Sequence, residues 1–191
     1  MGKITFILGG ARSGKSTYAL GEANLLKGRK AFIATAEALD REMERRIARH
    51  KAERGPEWDT FEEPIDIKSV LKGIGNKYPV ILIDCITLWV SNLLHKELSL
   101  KEEFESLVKA LLRCSDADVY LVSNEVGMGV VPEYPLGRVY RDQLGLLNKM
   151  IASVADRVIL MTAGIPVTIK GETGLKISPD TGLSGGDGPE R

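Results

Sequence analysis

Cysteine is nearly absent: only Cys85 and Cys114 occur among 191 residues, and they do not form a C-x-x-C pair. That excludes a disulfide framework and the usual zinc-ligand spacings. Net charge is missing as well, because 26 Lys+Arg balance 26 Asp+Glu. Without a basic excess no overall field draws in nucleic acid or an anionic membrane, which argues against a DNA-translocating motor. No apolar run approaches the roughly 20 residues of a membrane span. The first apolar strand begins within a few residues of Met1, which leaves no room for a signal peptide. No internal repeat is visible. The 43% hydrophobic content is that of a globular chain, and this length is normally one domain. A soluble, cytoplasmic protein is expected.

The most informative segment that is present is GGARSGKS, formed by Gly9, Gly10, Ala11, Arg12, Ser13, Gly14, Lys15 and Ser16. It fits G-x-x-x-x-G-K-[ST] and follows the apolar run ITFIL, so a strand, a loop and a helix come in the order a phosphate-binding loop needs. Glycines let successive N–H groups turn inward toward phosphate oxygens. The helix behind adds the positive end of its dipole. Lys15 is expected to reach the β- and γ-phosphates, and the Ser16 hydroxyl to ligate Mg²⁺. The chain therefore reads as a nucleoside triphosphate binder.

Beyond the loop, apolar strands alternate with helices. Strands are predicted over residues 4–8, 30–35, 58–61, 79–84, 119–122, 157–162 and 166–170. Helices are predicted over 17–26, 41–54, 67–71, 87–95, 100–113 and 136–154, with Asp40 as an N-cap and Gly55-Pro56 as a stop. This pattern implies an α/β fold of the P-loop NTPase type, with a mainly parallel sheet covered by helices on both faces. Residues 1–170 would form the catalytic domain. From Gly171 the composition turns to Gly, Ser, Asp, Thr and Pro, and residues 171–191 read as a flexible tail.

Three further groups are candidates for chemistry. Asp84 ends an apolar strand, where an acidic residue on a neighbouring strand can hold Mg²⁺ with the loop hydroxyl; it equally suits an N-cap for the next helix. Cys85 reads as a small buried residue. His50 is one of only two histidines and lies four residues from both Arg46 and Arg54, with Lys51 beside it. Such a stripe suits a polyphosphate and a neutral imidazole nucleophile. The alternative is a solvated basic face paired with Glu42, Glu44 and Glu53. His95 reads as a surface residue. Asn124 and Glu125, at a strand end before Gly127 and Gly129, either orient a substrate or merely turn the chain. Arg138 and Arg141 either meet an anion or decorate the long helix.

Together these segments resemble the bifunctional adenosylcobinamide kinase/adenosylcobinamide-phosphate guanylyltransferases of cobalamin biosynthesis. The resemblance rests on GGARSGKS, IATAE from Ile33, RIARHKAER from Arg46, W-x-T-x-E from Trp58, LIDCITLWVSNLL from Leu82, VSNEVGMGVVPEYPLGRVYRD from Val122, and GIPVTIK. It implies that His50 is a guanylylated, catalytic histidine alongside Lys15. It implies nucleotide contacts at Gly9 to Ser16, at Ala34, Thr35 and Ala36, at Lys51, Ala52, Glu53 and Arg54, and at Glu62 and Asp84. Mg²⁺ at Ser16 and Asp84, ATP and GTP as nucleotide substrates, adenosylcobinamide and its phosphate as acceptors, and a homotrimer are the remaining implications. A kinase of another small alcohol, or a non-enzymatic nucleotide switch, is the alternative.

Overall fold

The structure, a computed structural model, describes residues 2–38, 41–52, 54–75 and 77–171, apart from the side chains of residues 42, 46 and 49. The expected N-cap at Asp40, the expected roles of Glu53 and of the Arg46 and Glu42 side chains, and the expected tail over 172–191 lie outside the described residues.

The apolar runs become β1 (Ile4–Gly9), β2 (Lys30–Ala34), β3 (Trp58–Glu62), β4 (Val80–Asp84), β5 (Asp118–Val122), β6 (Arg157–Thr162) and β7 (Ile165–Lys170). Among the described residues they form one sheet in the order β3-β2-β4-β5-β1-β6-β7. All neighbours run parallel except β6 and β7, whose short connection through Ala163 and Gly164 can only make an antiparallel hairpin. All six residues of β1 are buried, as expected of a strand covered on both faces.

The two-residue period of the strands divides the core. Ile4, Phe6 and Leu8 join Ile33, Ile81, Ile83, Val119 and Leu121 on one face. That face is covered by α3 (Ile67–Ile74), α4 (Ile86–His95), α5 (Leu100–Arg113) and α6 (Pro135–Val154). Ile7, Phe32, Leu82, Tyr120 and Val122 face the other way, against α1 (Lys15–Asn24). Ala19 and Ala23 are the buried contacts of α1, and their small side chains let the helix lie close to the sheet. Trp89 anchors α4: it is fully buried, and its indole N–H donates to the Ile65 carbonyl at 2.6 Å.

The parallel register brings strand ends to one edge. Ala34 stands opposite Asp84, Asp84 opposite Val122, and Gly9 opposite Met161. In parallel α/β sheets this carboxyl edge is where ligands bind. The strand carrying Asp84 is close to β1 in the sheet but not next to it. β5 lies between them, because β1 pairs with β5 and β5 with β4. Local pattern carries no information about which buried strand sits beside which.

Candidate active site

The chain leaves β1 at Gly9, turns through the loop and enters α1 at Lys15. Three loop residues have positive φ: Gly9 (152°), Arg12 (56°) and Gly14 (88°). A Cβ on Gly9 would stand 2.5 Å from the Met161 carbonyl oxygen, so glycine is required there by space as well as by φ. Gly14 is the N-cap residue of α1 and offers no side-chain cap, so the first N–H groups of the helix remain for an anion. Lys15 is buried, and its Nζ donates to the Gly10 carbonyl at 2.5 Å and to Ser13 Oγ at 3.5 Å. The ammonium is thus held within the loop rather than extended into solvent.

Ser16 opens onto a cleft that the sheet edge shares with α2 (Arg41–Ala52). Ala34, Ala36, Asp84 and Cys85 line its sheet side, and Leu88 of α4 closes one end. Met43, Ile47, His50 and Lys51 come from α2, and Arg54 from just beyond it. Positions 43, 47, 50, 51 and 54 repeat at three and four residues, so one stripe of the helix faces the cleft. The Arg54 guanidinium lies 3.9 Å from the Phe32 ring centre, a cation–π contact that fixes its plane against β2. Lys51 forms an ion pair with Glu62 at the end of β3. Lys51 therefore has an ion-pair partner on the sheet, Glu62.

Asp84 is half-buried at the end of β4. The N-cap residue of α4 is Cys85, one residue later, and it makes no side-chain cap bond. The bend is held by Thr35, which is fully buried. Thr35 Oγ1 donates to the Cys85 carbonyl at 2.7 Å and accepts from the Cys85 N–H at 2.9 Å. The Thr35 N–H donates to the Asp84 carbonyl at 3.4 Å. Asn92 Nδ2 in turn donates to the carbonyls of Thr35 (2.9 Å) and Pro64 (3.0 Å). Thr35 thus sits beneath the cleft rather than in its wall.

Ser16, Ala34, Ala36, His50, Lys51, Arg54 and Asp84, all expected from the sequence, are brought to one cleft. Ala52 is exposed, and Glu62 reaches the cleft through Lys51. Cys85 departs in part from expectation. It is partly buried, packed against the core face that carries Leu82 and Val122, and it also lines the cleft wall, because the strand ends at Asp84 and the next residue already belongs to the carboxyl edge. Phe32 and Leu88 were not singled out by sequence, and Met43 and Ile47 were expected only as the narrow apolar stripe by which their helix packs on the body, not as cleft residues.

Residues 123–129 are fastened beside the loop. The Glu125 N–H donates to the Gly9 carbonyl at 3.0 Å. The Asn124 N–H donates to Thr87 Oγ1 at 2.7 Å, and Asn148 Nδ2 donates to the Asn124 carbonyl at 3.1 Å. Ser123 Oγ pairs with Asn148 Oδ1 at 2.8 Å. Arg138 Nη1 donates to the carbonyls of Pro132, at 3.1 Å, and Glu133, holding the loop that precedes α6. Arg141 pairs with the adjacent Asp142 at 3.2 Å. Among the described residues no helix is long and apolar enough to cross a membrane.

Solved structures that share this architecture include a RadB recombinase, at a TM-score of 0.50 and 15% identity, covering 83% of this chain and 73% of that one. A KaiC-like protein from Pyrococcus horikoshii gives 0.50 and 17%, covering 83% of this chain and 70% of that one. At such identities the likeness establishes the P-loop NTPase fold alone. Sequence comparison goes further. A Pseudomonas aeruginosa relative, the bifunctional adenosylcobalamin biosynthesis protein CobP, is 43% identical over 169 residues, spanning 87% of this chain and 96% of its own. The Escherichia coli bifunctional adenosylcobalamin biosynthesis protein CobU is 37% identical over 185 residues, spanning 87% and 99%. The profile described as cobinamide kinase / cobinamide phosphate guanyltransferase matches residues 5–169, and the chain belongs to that family.

Proposed function

We propose that this chain carries out both reactions of its family at the one cleft: phosphoryl transfer to the aminopropanol hydroxyl of adenosylcobinamide, then transfer of GMP from GTP to the phosphate so formed. The observation that supports this is the convergence of Ser16, Asp84 and His50 on the same cleft, next to a glycine loop built for phosphate. A phosphate loop alone accounts for γ-transfer but supplies no nucleophile for the α-phosphorus. His50 supplies one.

In the kinase step the loop N–H groups and Lys15 hold the triphosphate. Lys15 would leave the Gly10 carbonyl for the β- and γ-oxygens, where its charge matters most as transfer proceeds. A hydroxyl and a carboxylate are hard oxygen donors of the kind Mg²⁺ accepts alongside phosphate and water, so Ser16 and Asp84 fit the ion. Mg²⁺, when bound, offsets negative charge on the phosphoryl oxygens. In the second step an imidazole nitrogen of His50 attacks the α-phosphorus, and the bond to pyrophosphate breaks. A phosphate oxygen of adenosylcobinamide phosphate then attacks the same phosphorus, the P–N bond breaks, and the imidazole is restored. Splitting one demanding displacement into two is the advantage of the covalent route. Arg54 and Lys51 stand in the same cleft wall to receive phosphate charge.

GTP radiolabelled at its α-phosphate tests the reading. Label is expected on the peptide carrying His50, lost in acid and stable in base as a phosphoramidate should be. The His50→Ala protein should take up none, while keeping much of the kinase activity. Acid-stable label, or label on His50→Ala, would sink the assignment. The resemblance also implies a homotrimer, for which light scattering against the 20.9 kDa chain mass is the direct check.

A further inference from the structure

Helix α4 has a second cavity toward its C-terminal end. About 390 Å³ opens between Ser91, Leu94 and His95 of α4 and Pro132, Tyr134 and Leu136 at the entrance to α6. It follows directly on the nucleotide cleft. Leu88 lines the cleft, and Leu88, Ser91 and His95 are spaced at i, i+3 and i+7, on one face of the helix. At 1.5 Å per residue, Ser91 is about 5 Å and His95 about 10 Å along the axis from Leu88.

Tyr140 marks the junction. It lines the cavity, and its phenol donates to the Thr87 carbonyl at 3.1 Å in the first turn of α4. Burial first, and then the nearby Cys85 thiol in the cleft wall, push that phenol up to about 12. Cleft and cavity therefore share one wall, and Trp89 holds that wall to the body of the protein.

The lining is mostly apolar with a few polar tips: the Ser91 and Tyr134 hydroxyls and the His95 imidazole. That is the composition of a small-molecule pocket, and the volume falls in the same range. Beside it the loop exposes Met128, Val130 and Val131, with Val130 94% accessible. Large apolar residues grouped this way mark a binding surface.

We propose that this cavity seats the corrin ring of cobinamide, with the aminopropanol arm directed along α4 toward Ser16 and His50. The proposal rests on the two-reaction reading of the cleft. A corrin is a broad, methyl-studded macrocycle edged with carboxamides, so it needs apolar contact on its face and hydrogen-bonding groups at its rim. It is too large to be enclosed here, and the exposed 128–131 segment extends the apolar floor. A nucleotide cleft also needs its acceptor adjacent to the phosphates, and the cavity adjoins it along a fixed helix.

Three variants test the seat: Ser91→Trp, which fills the cavity, and Tyr134→Ala and Leu136→Asp at exposed positions where folding is not at stake. The measurements are KM for adenosylcobinamide, KM for ATP, and labelling of His50 by GTP alone, which needs no corrinoid and reports an intact nucleotide cleft. KM for adenosylcobinamide should rise about tenfold or more in each variant, with the other two measurements unchanged. An unchanged KM for adenosylcobinamide in all three overturns the proposal. So does a loss of oligomeric mass that tracks the rise in KM, which would make the surface a subunit contact. Equilibrium binding of adenosylcobinamide, followed by its visible absorbance, separates this idea from the reading beneath it. Binding by the parent protein that Ser91→Trp abolishes supports the seat even if neither reaction turns over. No binding by the parent protein refutes the seat.

Discussion

Thr35→Val removes a hydroxyl committed to the Cys85 backbone beneath the cleft, and it is expected to cripple the kinase step. Thr35 is fully buried at the carboxyl end of the sheet, and its hydroxyl serves both backbone groups of Cys85, at 2.7 and 2.9 Å. Valine keeps the shape and loses both bonds. The Cys85 carbonyl keeps the Trp89 N–H at 3.2 Å, so the loss is that of two ordinary buried hydrogen bonds at about 0.5–1.5 kcal/mol each, about 1–3 kcal/mol together. A domain of this kind holds about 5–15 kcal/mol in all, so the protein should still fold. Its melting temperature should fall by roughly 2–12 °C, at about 2–4 °C per kcal/mol for this size. The bonds from the Thr35 N–H to Asp84 and from Asn92 to the Thr35 carbonyl persist, so the damage concentrates on the bend that aims the Asp84 carboxylate. A misplacement near 1 Å costs about a hundredfold in rate. Kinase turnover measured across a Mg²⁺ titration should show a lower kcat and a higher Mg²⁺ requirement. Thr35→Ser keeps the hydroxyl and should restore both. Parental turnover and Mg²⁺ dependence in Thr35→Val, accompanied by the expected thermal destabilisation, would refute the reasoning.

Lys15→Ala should leave the circular dichroism spectrum intact and nucleotide affinity only moderately reduced, while lowering kinase turnover by orders of magnitude, because its charge acts chiefly on the transition state; near-parental turnover would count against that role. The phenols of Tyr120 and Tyr140 are both pushed up to about 12, by burial first. The folded state therefore keeps these protons between pH 10 and 12 while the unfolded state releases them, so this stabilisation is complete below pH 10 and is lost as pH rises toward 12. Urea unfolding of Tyr140→Phe should show a shallower decline over that window than the parent, and an identical slope would contradict it. Removal of residues 171–191 should leave both activities and most of the melting temperature in place, given how little apolar surface that composition can bury; a large loss of either would show that the segment docks.

The phosphate loop and the strands were legible because their physics is local. Parallel strands buried on both faces read as continuous apolar runs, and the loop needs glycine at fixed places for backbone reasons that sequence displays directly. Strand order was not legible. β5 entering between β1 and β4 follows from long-range pairing, which leaves no mark in either strand. Cys85 was only half legible for a related reason: its apolar neighbours suggested burial, and it does pack on the core, but the strand stops one residue earlier and leaves it in the cleft wall as well. Asn124 was ambiguous because its sequence context displays a polar side chain, whereas the structure shows its backbone N–H and carbonyl fastening the loop to Thr87 and Asn148.

Helix α2 shows where pattern reading stops and geometry is needed. Met43 and Ile47 are its few apolar residues besides alanine, so a narrow stripe was foreseeable and its target was not. A solvated basic face and a nucleophile-bearing face have the same spacing, since both set charges three and four residues apart. What separates them is the surface opposite. Here Arg54 stacks on Phe32 of β2, and Lys51 reaches Glu62 at the end of β3. These contacts lay the helix along the carboxyl edge with its stripe turned toward Ser16 and Asp84. The exposed ion pair contributes at most about 1 kcal/mol and the cation–π contact about 0.5–2 kcal/mol. The spacing of the charges is common to both readings; a guanidinium on a ring of β2 and an ammonium on a carboxylate of β3 are what turn this stripe toward the wall that holds Ser16 and Asp84, and so make His50 a candidate nucleophile rather than a surface residue.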